Sequence, residues 1–195
     1  MKTVCLLCAL ALTFSFAVTA AAQQQRRPTI PFVNDQTDKP LTDLELFQDT
    51  YGATLLKGFT ELPRVRGTAG SVQVTVVEFR NTANNTRVKG VAVDVTTAQN
   101  EKARSFIEYA ELDALIRGVT FISKVDKGMS SLQSLEAVFT TKGEFSISDF
   151  FNWQGESRVA VTAGRYEPKT VLIDQAGQTI LLGQFQQAKT TLDEL

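Results

Sequence analysis

The sequence predicts an α+β fold of antiparallel sheets with two amphipathic helices, and three observations carry that prediction. Apolar residues alternate with polar ones through two blocks of short segments. The period then lengthens to that of a helix, once in mid-chain and again at the carboxyl end. The resulting order, four strands and a helix, occurs twice.

Order is expected to begin near Leu41. Thr42 and Asp43 can cap a short helical turn that carries Leu44 and Phe47 toward a core. Residues 53–62 (ATLLKGFTEL) form a first strand, which Pro63 interrupts. In residues 71–80 (SVQVTVVEFR), Val72, Val74 and Val76 face one way and Gln73 and Thr75 the other. Residues 87–96 (RVKGVAVDVT) resume the alternation with Val91, Val93 and Val95. The turn-forming NTANNT between them makes the pair an antiparallel hairpin. Residues 103–109 add a fourth strand.

The period then switches. From Glu111 to Val125, Leu112, Leu115, Ile116, Val119 and Ile122 follow helical spacing. Glu111 and Asp113 complement the helix dipole at one end and Lys124 at the other, and Gly128 is placed to stop the helix. In the second block, residues 135–141 are a strand and Lys142-Gly143 a tight turn. In 144–151, Phe145, Ile147 and Asp149 oppose Ser146, Ser148 and Phe150. Residues 158–163 and 170–173 complete the block. The closing helix spans 178–192, with Ile180, Leu181, Gln184, Phe185 and Ala188 along one side.

Residues 41–195 read as one α+β domain, or as two pseudo-repeats, 41–128 and 129–195. Aligning Phe106 with Val171 brings Leu115 onto Ile180 and Gly118 onto Gly183. A glycine inside a helix costs about 1 kcal/mol, so the matched pair suggests close approach of another backbone, with the two helices crossing. A barrel capped by the C-terminal helix, as in pleckstrin-homology-like domains, is the alternative architecture.

The amino end, residues 1–22, reads as an export signal peptide. Lys2 supplies the positive start, an apolar run extends from Val4 to Val18, and Ala20-Ala21-Ala22 suits a signal peptidase. That run is shorter than the roughly 20 residues a bilayer requires, so no membrane span is expected after cleavage. The expected location is periplasmic or secreted. Residues 23–40, polar and with three prolines, read as a flexible leader.

The chain's two cysteines, Cys5 and Cys8, lie inside the signal, and there is no histidine. Cleavage would leave 19 basic residues against 21 acidic, a net charge of −2. Residues 23–195 therefore lack thiol nucleophiles, disulfides, imidazole bases and the usual transition-metal ligands. No cofactor is expected, and the slight negative charge argues against nucleic acid.

What remains for chemistry is carboxylates, lysine, serine and tyrosine. Glu108, Glu111 and Asp113 cluster where a strand meets a helix and could form a cation site or an acid/base pair. A helix start enriched in acids explains them more simply. Lys127 beside Ser130-Ser131 makes a serine–lysine hydrolase formally available, but no nucleophile elbow accompanies it. Asp126-Lys127-Gly128 and Asp174-Gln175-Ala176-Gly177 fit turns or helix boundaries better than a calcium loop. No catalytic or metal residue is assigned. The most distinctive segment is 149–155 (DFFNWQG), which holds three aromatics including the only tryptophan. Aromatic faces at a strand end suit a sugar ring, an apolar ligand or a partner protein. The simpler reading buries alternate residues of this segment. If the segment recognises a partner, Phe151 and Trp153 are the candidate binding residues.

Residues 108–118 (EYAELDALIRG), with 121–124 (FISK) and 139–143 (FTTKG), look similar to stretches in small exported bacterial proteins of uncharacterised function. That likeness implies bacterial export. Four strands and a helix, twice over, also resembles the Whirly single-stranded-DNA-binding fold in element order. The lysine–glycine–lysine strand motif of that family is absent, Arg87-Val88-Lys89-Gly90 being the nearest stretch. The resemblance therefore implies an architecture and no nucleic-acid function.

The expectation is an exported soluble protein that binds a protein, a glycan or a small apolar ligand without catalysis. The alternative is a small-ligand carrier or a carboxylate-dependent hydrolase. A closed apolar cavity would favour the carrier, and converging acids around Glu111 the enzyme. An exposed Phe151–Trp153 surface would favour a macromolecular partner.

Overall fold

The alternation in residues 71–80 and 87–96 becomes the longest hairpin of the computed structural model, which describes residues 40–195. The signal expected over 1–22 and the leader up to residue 39 lie outside the described residues. Strands β3 (Gly70–Asn81) and β4 (Arg87–Thr97) pair with Val72 opposite Val95, Val74 opposite Val93 and Val76 opposite Val91. In their turn, the Asn81 and Asn84 carboxamide oxygens accept from the N–H of Ala83 and Thr86 at 2.9 and 3.0 Å. β1 (Leu55–Glu61) flanks β3, and β5 (Lys102–Glu108) flanks β4.

Pro63 conceals a further strand. β2 (Val65–Gly67) pairs with the start of β3, so β1 and β2 are one edge strand interrupted at 62–64. Three residues there face two, Gln73 and Val74, which makes a bulge. Leu62 N–H still donates to the Val74 carbonyl at 2.9 Å. The carbonyls of Leu62 and Pro63 accept instead from the buried side-chain amides of Gln73 and Gln184.

The second sheet is an antiparallel meander of β6 (Leu135–Thr140), β7 (Ser146–Phe151), β8 (Ser157–Ala163) and β9 (Lys169–Ile173). Both sheets are open, which excludes the barrel alternative. The molecule is α+β, with two antiparallel sheets and three helices. α1 (Asp43–Gln48) carries a capping box in which Thr42 Oγ1 accepts from Glu45 N–H and the Glu45 carboxylate from Thr42 N–H. α2 (Leu112–Ile122) ends earlier than its periodicity suggests. Asp126 holds the N–H of Gly128 at 2.7 Å, so Gly128 belongs to a separate 3-10 turn over 127–129. α3 (Gln175–Asp193) begins earlier than expected, because the Asp174 side chain accepts from Gly177 N–H at 2.7 Å.

One core lies between the inner sheet faces and helices α2 and α3. It holds Val74 and Val93 from the first sheet, Phe145 and Val161 from the second, and Leu115 and Phe185 from the helices. Ile180, expected on the inner stripe of α3, is exposed, and Gln178 is buried instead. Positions 178, 181, 185, 188 and 192 recur at helical spacing, whereas 180 lies roughly 100° round from 181.

Gly118 and Gly183 do not mediate a helix crossing. α2 and α3 do pack together, but a Cβ on Gly118 would meet the ring of Phe139 on β6. Gly183 faces open space, and nothing in the structure explains glycine there. A smaller cluster (Leu44, Val77, Phe79, Ala92 and Phe106) lies beneath α1 on the outer face of the first sheet. Among the described residues, no helix is long and apolar enough to cross a membrane.

Candidate functional site

The aromatic segment divides at the end of β7. Ile147, Asp149 and Phe151 face inward, and Phe151, opposite Leu135 and Ser157, is only 8% exposed. A turn then forms around Asn152, whose carboxamide oxygen accepts from the N–H of Gln154 and Glu156 at 2.9 and 3.0 Å. Gly155 completes it at φ 81°, a conformation that costs glycine little. Trp153 projects from this turn, 75% exposed. The two candidate residues therefore do not share one platform. Buried Asp149 accepts from Ser157 Oγ at 2.6 Å and from Gln175 Nε2 at 3.2 Å, which pins the start of α3 to β7.

The candidate acids are engaged in structure. Glu108 and Glu111, on consecutive elements, both reach Lys142 in the β6–β7 turn. The Glu111 carboxylate accepts from the N–H of Lys142 at 2.8 Å and of Glu108 at 3.2 Å. Glu108 accepts from the Lys142 ammonium at 2.8 Å and from Asp43 N–H at 2.9 Å. Burial alone would raise Glu108, but these bonds hold it below the usual carboxylate range. Asp113 is well exposed, with Lys189 3.9 Å away. Arg165, nearly buried in the β8–β9 loop, grips both oxygens of Glu45 at 3.2 and 2.9 Å and also donates to the Lys142 carbonyl at 3.1 Å. The result is a clasp joining α1, β5 and two loops of the second sheet.

The remaining candidates are structural as well. Lys127 donates to the Leu132 carbonyl and Ser130 Oγ accepts from Leu132 N–H, which closes the loop after α2. Lys89, nearest to a nucleic-acid motif, donates to the Leu192 carbonyl and lies 4.5 Å from the Tyr109 ring centroid, fastening α3. Among the described residues, no group of three His, Cys, Asp or Glu side chains could hold a metal ion.

An open apolar surface lies elsewhere, in a groove of about 560 Å³ between α2 and β6. Phe121 and Val125 form one wall and consecutive residues Leu135 to Phe139 the other, with Met129 at one end. Phe121, Met129 and Val138 are each more than half exposed, as is Leu132 in the adjoining loop. α2 turns Leu115, Val119 and Ile122 into the core, which leaves Phe121 on its flank. Gly118 admits the Phe139 ring beneath the helix. Arg117 and Glu136 are the charged residues that line the groove.

β6 also ends its sheet. Among the described strands it pairs only with β7. Thr141 N–H donates to the Phe145 carbonyl, which sets the hydrogen-bond alternation of the hairpin. By that alternation, the backbone groups of Glu136, Val138 and Thr140 face away from β7. The strand carries no proline, lysine or bulge to blunt its edge. The alternation of LEAVFT is plain in the sequence, but its place at the end of a sheet is not.

Comparison of the chain with protein-family models, with curated proteins and with solved structures finds no match. A functional reading therefore rests on the chemistry of the site.

Proposed function

We propose that the chain is a non-catalytic binding module of the bacterial periplasm or exterior that captures an extended apolar segment of a partner protein along β6. The observation that carries this reading is an edge strand, unpaired on its outer side among the described residues, beside an apolar groove of about 560 Å³. Strand addition to an edge supplies backbone hydrogen bonds, while the groove selects side chains. Burying Phe121, Met129 and Val138 more fully gains about 1–2 kcal/mol each, since each is already partly covered. Ordering about five residues of the partner costs roughly 1–2 kcal/mol apiece. The ordering cost exceeds the burial gain by a few kcal/mol, so the edge hydrogen bonds must supply the balance for the complex to form. Export is supported by the apolar amino-terminal run behind Lys2 and by the small residues at 20–22.

The test uses a synthetic peptide of alternating valine and threonine, with amide hydrogen exchange read by NMR. Slowed exchange is expected at Glu136, Val138 and Thr140. Val138→Pro removes one outward N–H without touching the β6–β7 ladder, and should weaken binding at least about tenfold with the melting temperature little changed. Equal binding by that variant, or protection elsewhere on the molecule, would overturn the reading.

A further inference from the structure

The outer face of the first sheet holds a second concavity, built differently from the groove at β6. Its central strands carry mostly small side chains, Thr75 and Val77 on β3 and Gly90 and Ala92 on β4, with Phe79 of β3 as the exception. The flanking strands carry large ones, Lys57, Phe59 and Glu61 on β1 and Arg104 and Phe106 on β5. The centre of the face is therefore low and its margins high, which leaves a trough of 360 Å³. α1 closes one end. A Cβ on Gly90 would collide with the Ile107 carbonyl oxygen of β5 and stand 2.7 Å from Leu44 Cδ1 of α1, so a larger residue at 90 would press on the neighbouring strand and on the Leu44 side chain. Phe47 stacks on Phe79 at 6.4 Å between centroids, and Gln48 lines the trough beside them.

The chemistry of the lining is specific. Val77, Phe79 and Ala92 are buried and make an apolar floor, and the buried ring of Phe106 on the β5 margin meets Phe79 edge to face at 6.3 Å. Phe59, 70% exposed, stands along one margin. The two cations on the rim differ. Arg104 is held by Asp94 through two contacts of 2.7 Å, with Glu61 nearby. Lys57 contacts only the Gln48 side chain at 3.4 Å and the Phe79 ring at 5.3 Å, and it forms no ion pair among the described residues. A positive charge without an acid partner therefore overlooks an aromatic floor.

We infer that this trough is a binding site for a small aromatic carboxylate. Its ring lies on Val77 and Ala92 between Phe59 and Phe106, and its carboxylate meets the Lys57 ammonium and the Gln48 amide. A charge-assisted bond at the rim sets orientation, and apolar contact with the floor supplies most of the affinity. The site is separate from β6, so peptide capture and ligand binding can fail independently.

The experiment titrates the protein with 3-phenylpropionate, with neutral 3-phenylpropanol and with octanoate, followed by NMR. Saturable shifts are expected at Phe59, Val77, Ala92 and Phe106 with the aromatic acid, and weaker ones with the other two. Lys57→Met keeps an apolar stem over Phe79 and removes the charge. It should weaken the acid about tenfold and leave the alcohol unchanged. Phe59→Ser, at an exposed position that the fold does not need, should weaken acid and alcohol alike. Equal affinity for acid and alcohol, tighter binding of octanoate, or shifts confined to the groove at β6 would each overturn the assignment.

Discussion

Phe185 shows how one side chain joins the two sheets. Its ring meets that of Phe145, the residue just before β7, edge to face at 5.7 Å, and both are fully buried. Phe185→Ala should cost about 3–5 kcal/mol in urea unfolding, as expected for a large ring removed from a closed core. Ile180→Ala, on the solvent side of the same helix, should change stability by no more than about 0.5 kcal/mol. Comparable losses for the two would mean the buried stripe of α3 has been misplaced. Spacing in the sequence identifies Phe185 and Leu181, but not Gln178, because a polar side chain gives no apolar signal even where it is fully buried. The aromatic segment was legible only in half. Alternation along β7 puts Phe151 in one row with Ile147, whereas the Asn152 turn alone determines that Trp153 stands in solvent.

Among the elements, the helical glycines give opposite expectations for the same substitution. Gly183→Ala adds a methyl in open space and should stabilise by up to about 1 kcal/mol through helix propensity. Gly118→Ala drives a methyl against the Phe139 ring and should destabilise by about 1–3 kcal/mol. In a Phe139→Ala background that penalty should vanish, and thermal unfolding of the four proteins measures the coupling. Strands with a clear period of two were legible from sequence, as was the β3–β4 hairpin with its asparagine turn. β2 was not, since Pro63 reads as an end and the bulge that carries the edge past it depends on amides from Gln73 and distant Gln184. The groove at β6 was hidden for a similar reason. Which strand ends a sheet is a property of pairing, and no local pattern records it.

Across the whole molecule, the clasp should make folding sensitive to acid. Burial tends to raise Glu45 and Glu108, but bonds from Arg165 and Thr42, and from Lys142 and Asp43, hold both below their ordinary 4.5. Lowered folded values mean that their stabilisation is complete above about pH 4.5 and is lost as the pH falls through those values. Glu45→Gln removes the carboxylate that Arg165 grips and leaves Glu144 as the remaining acid acting on its guanidinium. It should cost about 2–3 kcal/mol at neutral pH, less than for a fully buried pair because Glu45 keeps some contact with water. Urea midpoints should differ at pH 7 and converge as the pH falls through the lowered Glu45 value. A difference that persists in acid would show that the carboxylate charge is not what holds the loops.

The sequence by itself determined the α+β class, the order of strands and helices apart from β2, most of the inward rows, and a chemical inventory without thiol or imidazole beyond Cys8. These depend on local periodicity and composition, which survive in one dimension. Tertiary structure alone decided that Glu108 and Glu111 serve a clasp and that Phe151 and Trp153 part company. It also placed a free edge beside α2 and a trough beneath α1. Those features depend on which distant segments cover one another, and exposure of that kind is created only when the sheets and helices close on a shared core.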